Sequence, residues 1–263
     1  MKKQNTLVSI LIINFNNAKL LKRSIRSCIN QTYKNIEILV YDDKSTDNSL
    51  EILKSFKKNN KIRFFLNLNK KKLSPALNAM NGYIHLFKKS KGSIICFLDS
   101  DDYFKKNKVL EVKNSFKSKN FKFIQNLPLI KNKKKFKFGK NKNNPFSYWP
   151  YFAPESCISF KRDLMLNFLK VNNSYSNKFS DIWLGFRLGV YAFFKIKKFH
   201  TINKPLTIYE SLGESKKYSR FNKNWMRRRK ESFEYLKKIT NNKKILKGNF
   251  DYIITNFLTK IYK

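Results

Sequence analysis

Acidic residues are scarce in this chain: 17 Asp and Glu stand against 57 Lys and Arg in 263 residues, a formal net charge of +40. Glycine is scarce too, with 7, and no Gly-rich phosphate loop follows the first apolar run, which weighs against a nucleotidyltransferase. The three cysteines, Cys28, Cys96 and Cys157, lie far apart in apolar surroundings without CxxC or Cys/His spacing. That indicates no zinc site and predicts reduced core residues of an intracellular protein. The two histidines, His85 and His200, come with no Ser or Cys partner motif and read as structural. No apolar run approaches the length of a membrane span. The stretch after MKKQNT, LVSILIINF, passes straight into polar residues, unlike a signal peptide. The expected location is the cytoplasm, either free or on the cytoplasmic face of a membrane.

What is abundant points to a folded protein. Hydrophobic residues make up 41% and aromatics 16%, too much for a disordered chain, and the length suits one large domain or two small ones. The basicity has two readings. It suits a polyanionic partner, nucleic acid or an acidic membrane; it also suits an AT-rich coding sequence, which favours Lys, Asn, Ile and Phe over Gly and Ala. The cations are spread along the chain, denser near 131–144 and 223–245, as on a solvated face.

LVSILIINF (7–15) is a continuous β-branched run, the pattern of a strand buried on both faces of a parallel sheet. Leu21, Ile25, Cys28 and Ile29 then share one helical face. A second buried strand, IEILVYDD (36–43), precedes a helix that Ser45 or Thr46 is placed to cap, with Asp47 in its first turn. KIRFFLN (61–67), a helix near 74–89 and SIICFLD (93–99) continue the alternation, so the first hundred residues predict a doubly wound α/β sheet. Further on, a helix and the strand FKFIQNLPLI (121–130) precede a Lys/Asn-rich loop over 131–147. A strand then turns into a helix over 155–169, a helix with a buried aromatic face spans 180–194, and FHTINKPLTIYE (199–210) is a strand with a Pro break. Basic amphipathic helices follow from about 218. The expected division is 1–212, with halves 1–104 and 105–212, plus a helical extension over 213–263.

The few acids gather at strand ends. Asp42 and Asp43 close one strand, and Asp99, Asp101 and Asp102 in FLDSDD close another. In open parallel sheets the ligand crevice lies beyond those ends. Like charges crowded there call for a cation: alternate residues Asp99 and Asp101 can direct oxygens to Mg2+ or Mn2+, which completes its shell with phosphate oxygens. A solvated turn whose acids cap the next helix is the bland alternative for either cluster alone.

The stretch VSILIINFNNAKLLKRSIRSCINQTYKNIEILVYDDKSTDNS, followed by FLDSDD, resembles the nucleotide-binding half of the family 2 glycosyltransferases of the GT-A fold over residues 7–104. The resemblance implies a Rossmann-like, mostly parallel α/β sheet flanked by helices, here with a helical C-terminal extension. It implies that Ile13, Asn14, Phe15 and Asn16 border the nucleoside and that Asp43, with Asp42 beside it, takes a hydrogen bond from the base. Asp99 and Asp101 match the DxD pair that contacts ribose and the metal-bound diphosphate, flanking Ser100, with Asp102 as an extra ligand. SPALNAMNG keeps Ser74, Ala76 and Asn78 of the family's S-x-A-R-N but has Leu77 where a basic residue is common. Ile13 stands where the family often has Pro. FSDIWLGFRLG resembles E-D-x-D-L-W-L-R, which makes Asp181 the general base, with Ser180 replacing the preceding acid; its bland role is to cap an aromatic helix. Glu155 is the rival base, though it reads more readily as a surface residue. His200 lies near where some relatives place a metal or phosphate contact. Glu210 replaces the Arg of a Tyr-Arg pair, with Arg220 or Lys216 as compensating cations.

The expected protein is therefore an inverting, metal-dependent glycosyltransferase. It would move a sugar from a nucleotide-diphosphate donor, a UDP-sugar foremost, to a hydroxyl of a saccharide or lipid-linked saccharide in cell-surface polysaccharide or lipopolysaccharide synthesis. Trp225, Met226, Phe233, Leu236 and Ile239 alternate with Arg227–Lys230, so the basic C-terminal helices either lie on an anionic membrane or pack on the domain. The rivals are a nucleic-acid-binding protein, which the acidic strand ends would repel, and a metal-dependent nucleotidyltransferase.

Overall fold

The first apolar run forms strand β1 (Val8–Asn14), and its alternation decides how the rest packs. Val8, Ile10 and Ile12 turn to one face of the sheet, against Leu21, Ile25 and Cys28 of helix α1 (Ala18–Ile29), while Leu11 turns to the other. The computed structural model describes residues 6–68, 73–118, 120–132, 135–138, 147–171, 174–210 and 222–261.

Strand β2 (Ile36–Asp42), helix α2 (Ser49–Ser55), strand β3 (Ile62–Leu66), helix α3 (Pro75–Lys89) and strand β4 (Ile94–Asp99) complete the parallel half, in the order β3-β2-β1-β4. There follow β5 (Tyr103–Phe104), α4 (Lys108–Ser118), β6 (Phe123–Asn132), β7 (Lys135–Phe138), a single 3-10 turn (Glu155–Cys157), β8 (Ile158–Lys161), α5 (Arg162–Leu169), α6 (Leu184–Val190), β9 (Phe199–Glu210), α7 (Lys223–Thr240) and α8 (Phe250–Ile261). The sheet continues past β4 as β8-β6-β9-β5, where only the β6–β9 pair is parallel, and β7 pairs with β6. This is a mixed α/β sheet with flanking helices, as expected of the GT-A fold, but it is not mostly parallel: beyond β4 the antiparallel pairs of β8, β7 and β5 equal in number the parallel pairs of the whole sheet.

Two apolar layers cover the sheet. One sets α1, α2 and α4 against the outer side chains of β1, β2 and β4. The other joins Leu39, Phe97 and Phe160 to residues of α3, α5 and α6 and to Phe233, Tyr235, Leu236 and Ile239 of α7. Helix α7 thus packs its apolar stripe on the domain, the second of the two expected dispositions.

Four local expectations need correction. The loop expected over 131–147 contains β7, whose Lys135–Phe138 backbone pairs with Leu129–Asn132; residues 133–134 and 139–146 lie outside the described residues. Ser45 and Thr46 do not cap α2. Asp47 accepts from the Ser49 N–H at 3.1 Å and from the Ala18 N–H at 2.8 Å, so it ties the starts of α2 and α1 together. The helix expected from residue 180 begins only at Leu184 and widens into a π-helical turn over Tyr191–Ile196, which Lys197 ends at φ 56°. Asp181 therefore caps nothing: Trp183 holds the cap position. Strand β9 keeps Pro205 because the ladder with β6 slips register between Asn126 and Pro128, where a missing N–H costs least. Among the described residues no helix is long and apolar enough to cross a membrane.

Candidate active site

The ends of β1, β2 and β4 lie side by side, with Asn14 in register with Asp42 and Ile13 with Asp99. Adjacent strands are about 4.8 Å apart, so the two acidic strand ends flank β1 within roughly 10 Å. Asn14 donates from Nδ2 to Asp42 Oδ2 at 2.7 Å and to Ser45 Oγ at 3.2 Å. Ser45 returns its N–H to Asp42 Oδ1 and its hydroxyl to Oδ2, both at 2.8 Å. Asn14 and Asp42 are buried, and these bonds engage both oxygens of Asp42, which braces the strand ends. Asn16 and Lys44 in the following turns both adopt left-handed backbone (φ 48° and 60°), and Asn16 Oδ1 accepts the Thr46 N–H at 2.7 Å. Two side chains beside that floor take no part in its bonds. Phe15 is 56% exposed, and half-buried Asp43 accepts from Asn67 Nδ2 at 2.5 Å.

At the end of β4 the acids are held from below. Tyr83 of α3 donates its hydroxyl to Asp99 Oδ1 at 2.9 Å, and the Asp99 N–H donates to Ser156 Oγ at 2.9 Å. Ser100 Oγ accepts from Asn17 Nδ2 at 3.1 Å. Asp102 Oδ1 accepts the Glu210 N–H at 2.8 Å, and Glu210 Oε1 gathers Arg23 and Lys131, each at 2.7 Å. Arg23 also donates to the Asp101 carbonyl at 2.8 Å, so a chain of bonds from β9 fixes the DSDD turn. Burial, then the charge of Asp101, lifts the Asp99 carboxyl to about 7. Burial also raises Asp101, and it raises Asp102 well above the carboxylate range, with Asp101 and Asp99 adding to the effect.

Asp181 lies on the loop before α6, which Arg187 organises by donating from its buried guanidinium to the carbonyls of Ile182, Ser176 and Phe179. Its carboxylate is gripped by Arg227 of α7, Nη2 lying 3.1 Å from Oδ1 and Nε closing on Oδ2; the Asp181 N–H donates to Glu231 at 2.9 Å. Glu155, read above as a surface residue, is buried instead, because the turn before β8 carries it beneath the sheet end. Its Oε1 accepts the Gly185 N–H at 2.5 Å. Burial, then Asp99, lifts its carboxyl to about 8. Asn78 sits half-buried on the first turn of α3, and among the described residues its side chain bonds to none of these acids. His200 stacks on Phe121 with ring centroids 4.5 Å apart, and His85 lies against Tyr41 and Phe65. Arg220 and Lys216 lie outside the described residues.

The sequence profile described as Glycosyl transferase family 2 matches residues 9–202, which hold every acid described above except Glu210 and Glu231. The chain belongs to glycosyl transferase family 2. A protein named as a glycosyltransferase in Rickettsia bellii is 42% identical over 113 residues, 43% of this chain and 15% of that protein. A GalNAc(5)-diNAcBac-PP-undecaprenol β-1,3-glucosyltransferase of Campylobacter jejuni is 35% identical over 96 residues, 36% of this chain and 29% of that enzyme. The chain thus spans less than a third of either relative's length. Staphylococcus aureus TarS 1–349, solved in complex with UDP, has the same fold at a TM-score of 0.65 and 12% identity, covering 97% of this chain and 70% of that one.

The residues of this family 2 glycosyltransferase suit a divalent cation on chemical grounds. Its crowded acids repel one another, and two buried oxygens, Asp102 Oδ2 and Glu155 Oε2, lack a hydrogen-bond partner. Among the described residues no three His, Cys, Asp or Glu side chains are placed to hold an ion by themselves. Two carboxylates such as Asp99 and Asp101 would suit Mg2+ or Mn2+, which keeps waters and takes substrate phosphates as further ligands. Sequence reasoning missed Tyr83, Ser156, Arg23 and Arg227. None has a local signal, since each acts across 16 or more residues of chain.

Proposed function

We propose that this glycosyltransferase moves a sugar, with inversion, from a nucleoside-diphosphate donor to a hydroxyl of a saccharide carried on a lipid diphosphate. The observation that carries the reading is the placement of Asp43 and the Asp99–Asp101 pair at the strand ends on either side of β1, braced from beneath by Asn14, Asp42 and Tyr83. Phe15 stacks on the nucleoside and Asp43 accepts from its base. Asp99 and Asp101 would hold Mg2+ or Mn2+, which when bound neutralises the charge gathering on the departing diphosphate. Asp181 takes the acceptor's proton once Arg227, 56% exposed in its side chain, swings away from the carboxylate. UDP is the preferred nucleotide and a lipid-linked saccharide the preferred acceptor. TarS, solved with UDP, supports the first, and the name of the Campylobacter enzyme supports the second. Cell-surface polysaccharide or lipopolysaccharide assembly is the proposed setting.

The test is release of nucleoside diphosphate from a panel of UDP-, GDP- and dTDP-sugars with Mn2+ and an undecaprenyl-diphosphate-linked saccharide. Diphosphate release that requires acceptor supports the reading. Turnover of none of them, or pyrophosphate release from nucleoside triphosphates instead, overturns it.

A further inference from the structure

Helix α8 is folded with its polarity reversed. The side that faces α7 is polar: Arg229 of α7 grips Asp251, with Nε 3.1 Å from Oδ1, and reaches Thr255 Oγ1 at 3.2 Å. The Tyr148 N–H donates to Asp251 Oδ2 at 2.9 Å, and Lys237 of α7 donates to the Tyr252 hydroxyl. These bonds fix the rotation of the helix about its own axis. The opposite side is apolar and faces water: Phe250, Ile253, Ile254, Phe257 and Ile261 are between 39% and 68% exposed. Their spacing confines them to an arc of about 100°. A helix that places its polar residues inward and five large apolar ones outward has a stripe built to be covered.

The charge around the stripe identifies the cover. Lys243, Lys244 and Lys247 in the turn before α8 and Lys260 in its last turn are exposed, and the only acid between residues 241 and 261, Asp251, is turned inward to Arg229. A second copy would bring the same cations against these, in a chain of net charge +40. An anionic bilayer presents what the surface lacks: phosphate headgroups for the lysines and an acyl boundary for Phe250 and Phe257. We infer that α8 is a membrane-docking helix that lies in the headgroup region of an anionic lipid surface. The inference stands apart from the donor chemistry, since a failed vesicle test leaves nucleotide binding untouched and the reverse holds as well.

The test is co-sedimentation of the full chain with vesicles of phosphatidylglycerol and phosphatidylethanolamine, beside vesicles of phosphatidylcholine alone. The chain should pellet with the anionic vesicles and remain in solution with the neutral ones. The double variant Ile253→Ser/Phe257→Ser should weaken that binding at least tenfold, and Lys244→Glu/Lys247→Glu severalfold, with an unchanged melting temperature certifying the fold of each. No binding by the parent chain, equal binding by the serine variant, or a dimer in light scattering that dissociates on Phe257→Ser would each overturn the assignment.

Discussion

Arg227 grips both oxygens of Asp181, although 46 residues of chain separate them, and so places a cation from α7 directly on the carboxylate proposed to take the acceptor's proton. The rest of Asp181 is fixed by Arg228, which donates to its carbonyl at 2.9 Å, and by Glu231, which accepts its N–H. The loop before α6 is thus set by α7, a segment that the resemblance in the first hundred residues does not reach.

Asp181→Asn keeps the shape and most of the hydrogen bonding but cannot accept a proton. Transfer should fall by about 10²–10⁴-fold while donor affinity is kept, in steady-state kinetics with UDP-sugar and acceptor both varied. Turnover at the parent rate would remove Asp181 from the chemistry and leave Glu155 as the candidate.

Glu155 carries the clearest pH signature. Its folded-state carboxyl titrates near 8 against an ordinary 4.5, so the fold favours its protonated form. The stability it contributes is complete below about pH 4.5 and is lost as pH rises through about 8. In chelator, the melting temperature of the parent chain should therefore decline between pH 5 and 8, and Glu155→Gln should decline less steeply. Identical slopes would show that Glu155 ionises freely.

Gly185 is where the helix carrying Arg187 meets that carboxyl. A Cβ there would collide with Ile158 Cδ1 and lie 2.7 Å from Glu155 Oε1, both closer than packed atoms tolerate. Gly185→Ala should cost about 1–3 kcal/mol in urea denaturation, since the crowded side chains are themselves buried. A neutral or stabilising change would mean that Glu155 moves aside.

Asn14→Ala removes the donor that joins the ends of β1 and β2 and leaves Asp42 Oδ2 with Ser45 alone. The expected loss is about 1–3 kcal/mol by the same measurement, with the nucleoside subsite weakened as well. Unchanged stability would show that the Asn14–Asp42 bond is not what holds the strand ends together.

The parallel half was legible because β1, β2 and β4 are buried on both faces and therefore read as nearly continuous apolar runs, of which β2 and β4 stop at acids. The acids themselves stood out against a basic background. What escaped reading was set by distant partners. Glu155 looks like a surface residue until the turn before β8 tucks it under Gly185, 30 residues on. Ser45 has the residue type of a helix cap but is drawn to Asp42 by Asn14. Glu210 looks like a lost cation until Arg23 and Lys131 are seen to converge on it. Residues 135–138 sit in a Lys-rich stretch whose charge hid a strand paired antiparallel with β6.

The central claim is that Asp99 and Asp101 join a nucleoside diphosphate to the protein through a divalent cation, and thermal unfolding with UDP or GDP, in Mn2+ or in chelator, tests it most directly. At a hundredfold excess over the dissociation constant, a nucleotide should raise the melting temperature of the parent chain by about 5 °C or more in Mn2+ and far less in chelator. The Mn2+-dependent part should vanish in Asp101→Ala, with the melting temperature of that variant alone preserved. An equal rise in chelator, or an undiminished Mn2+-dependent rise in Asp101→Ala, would contradict it.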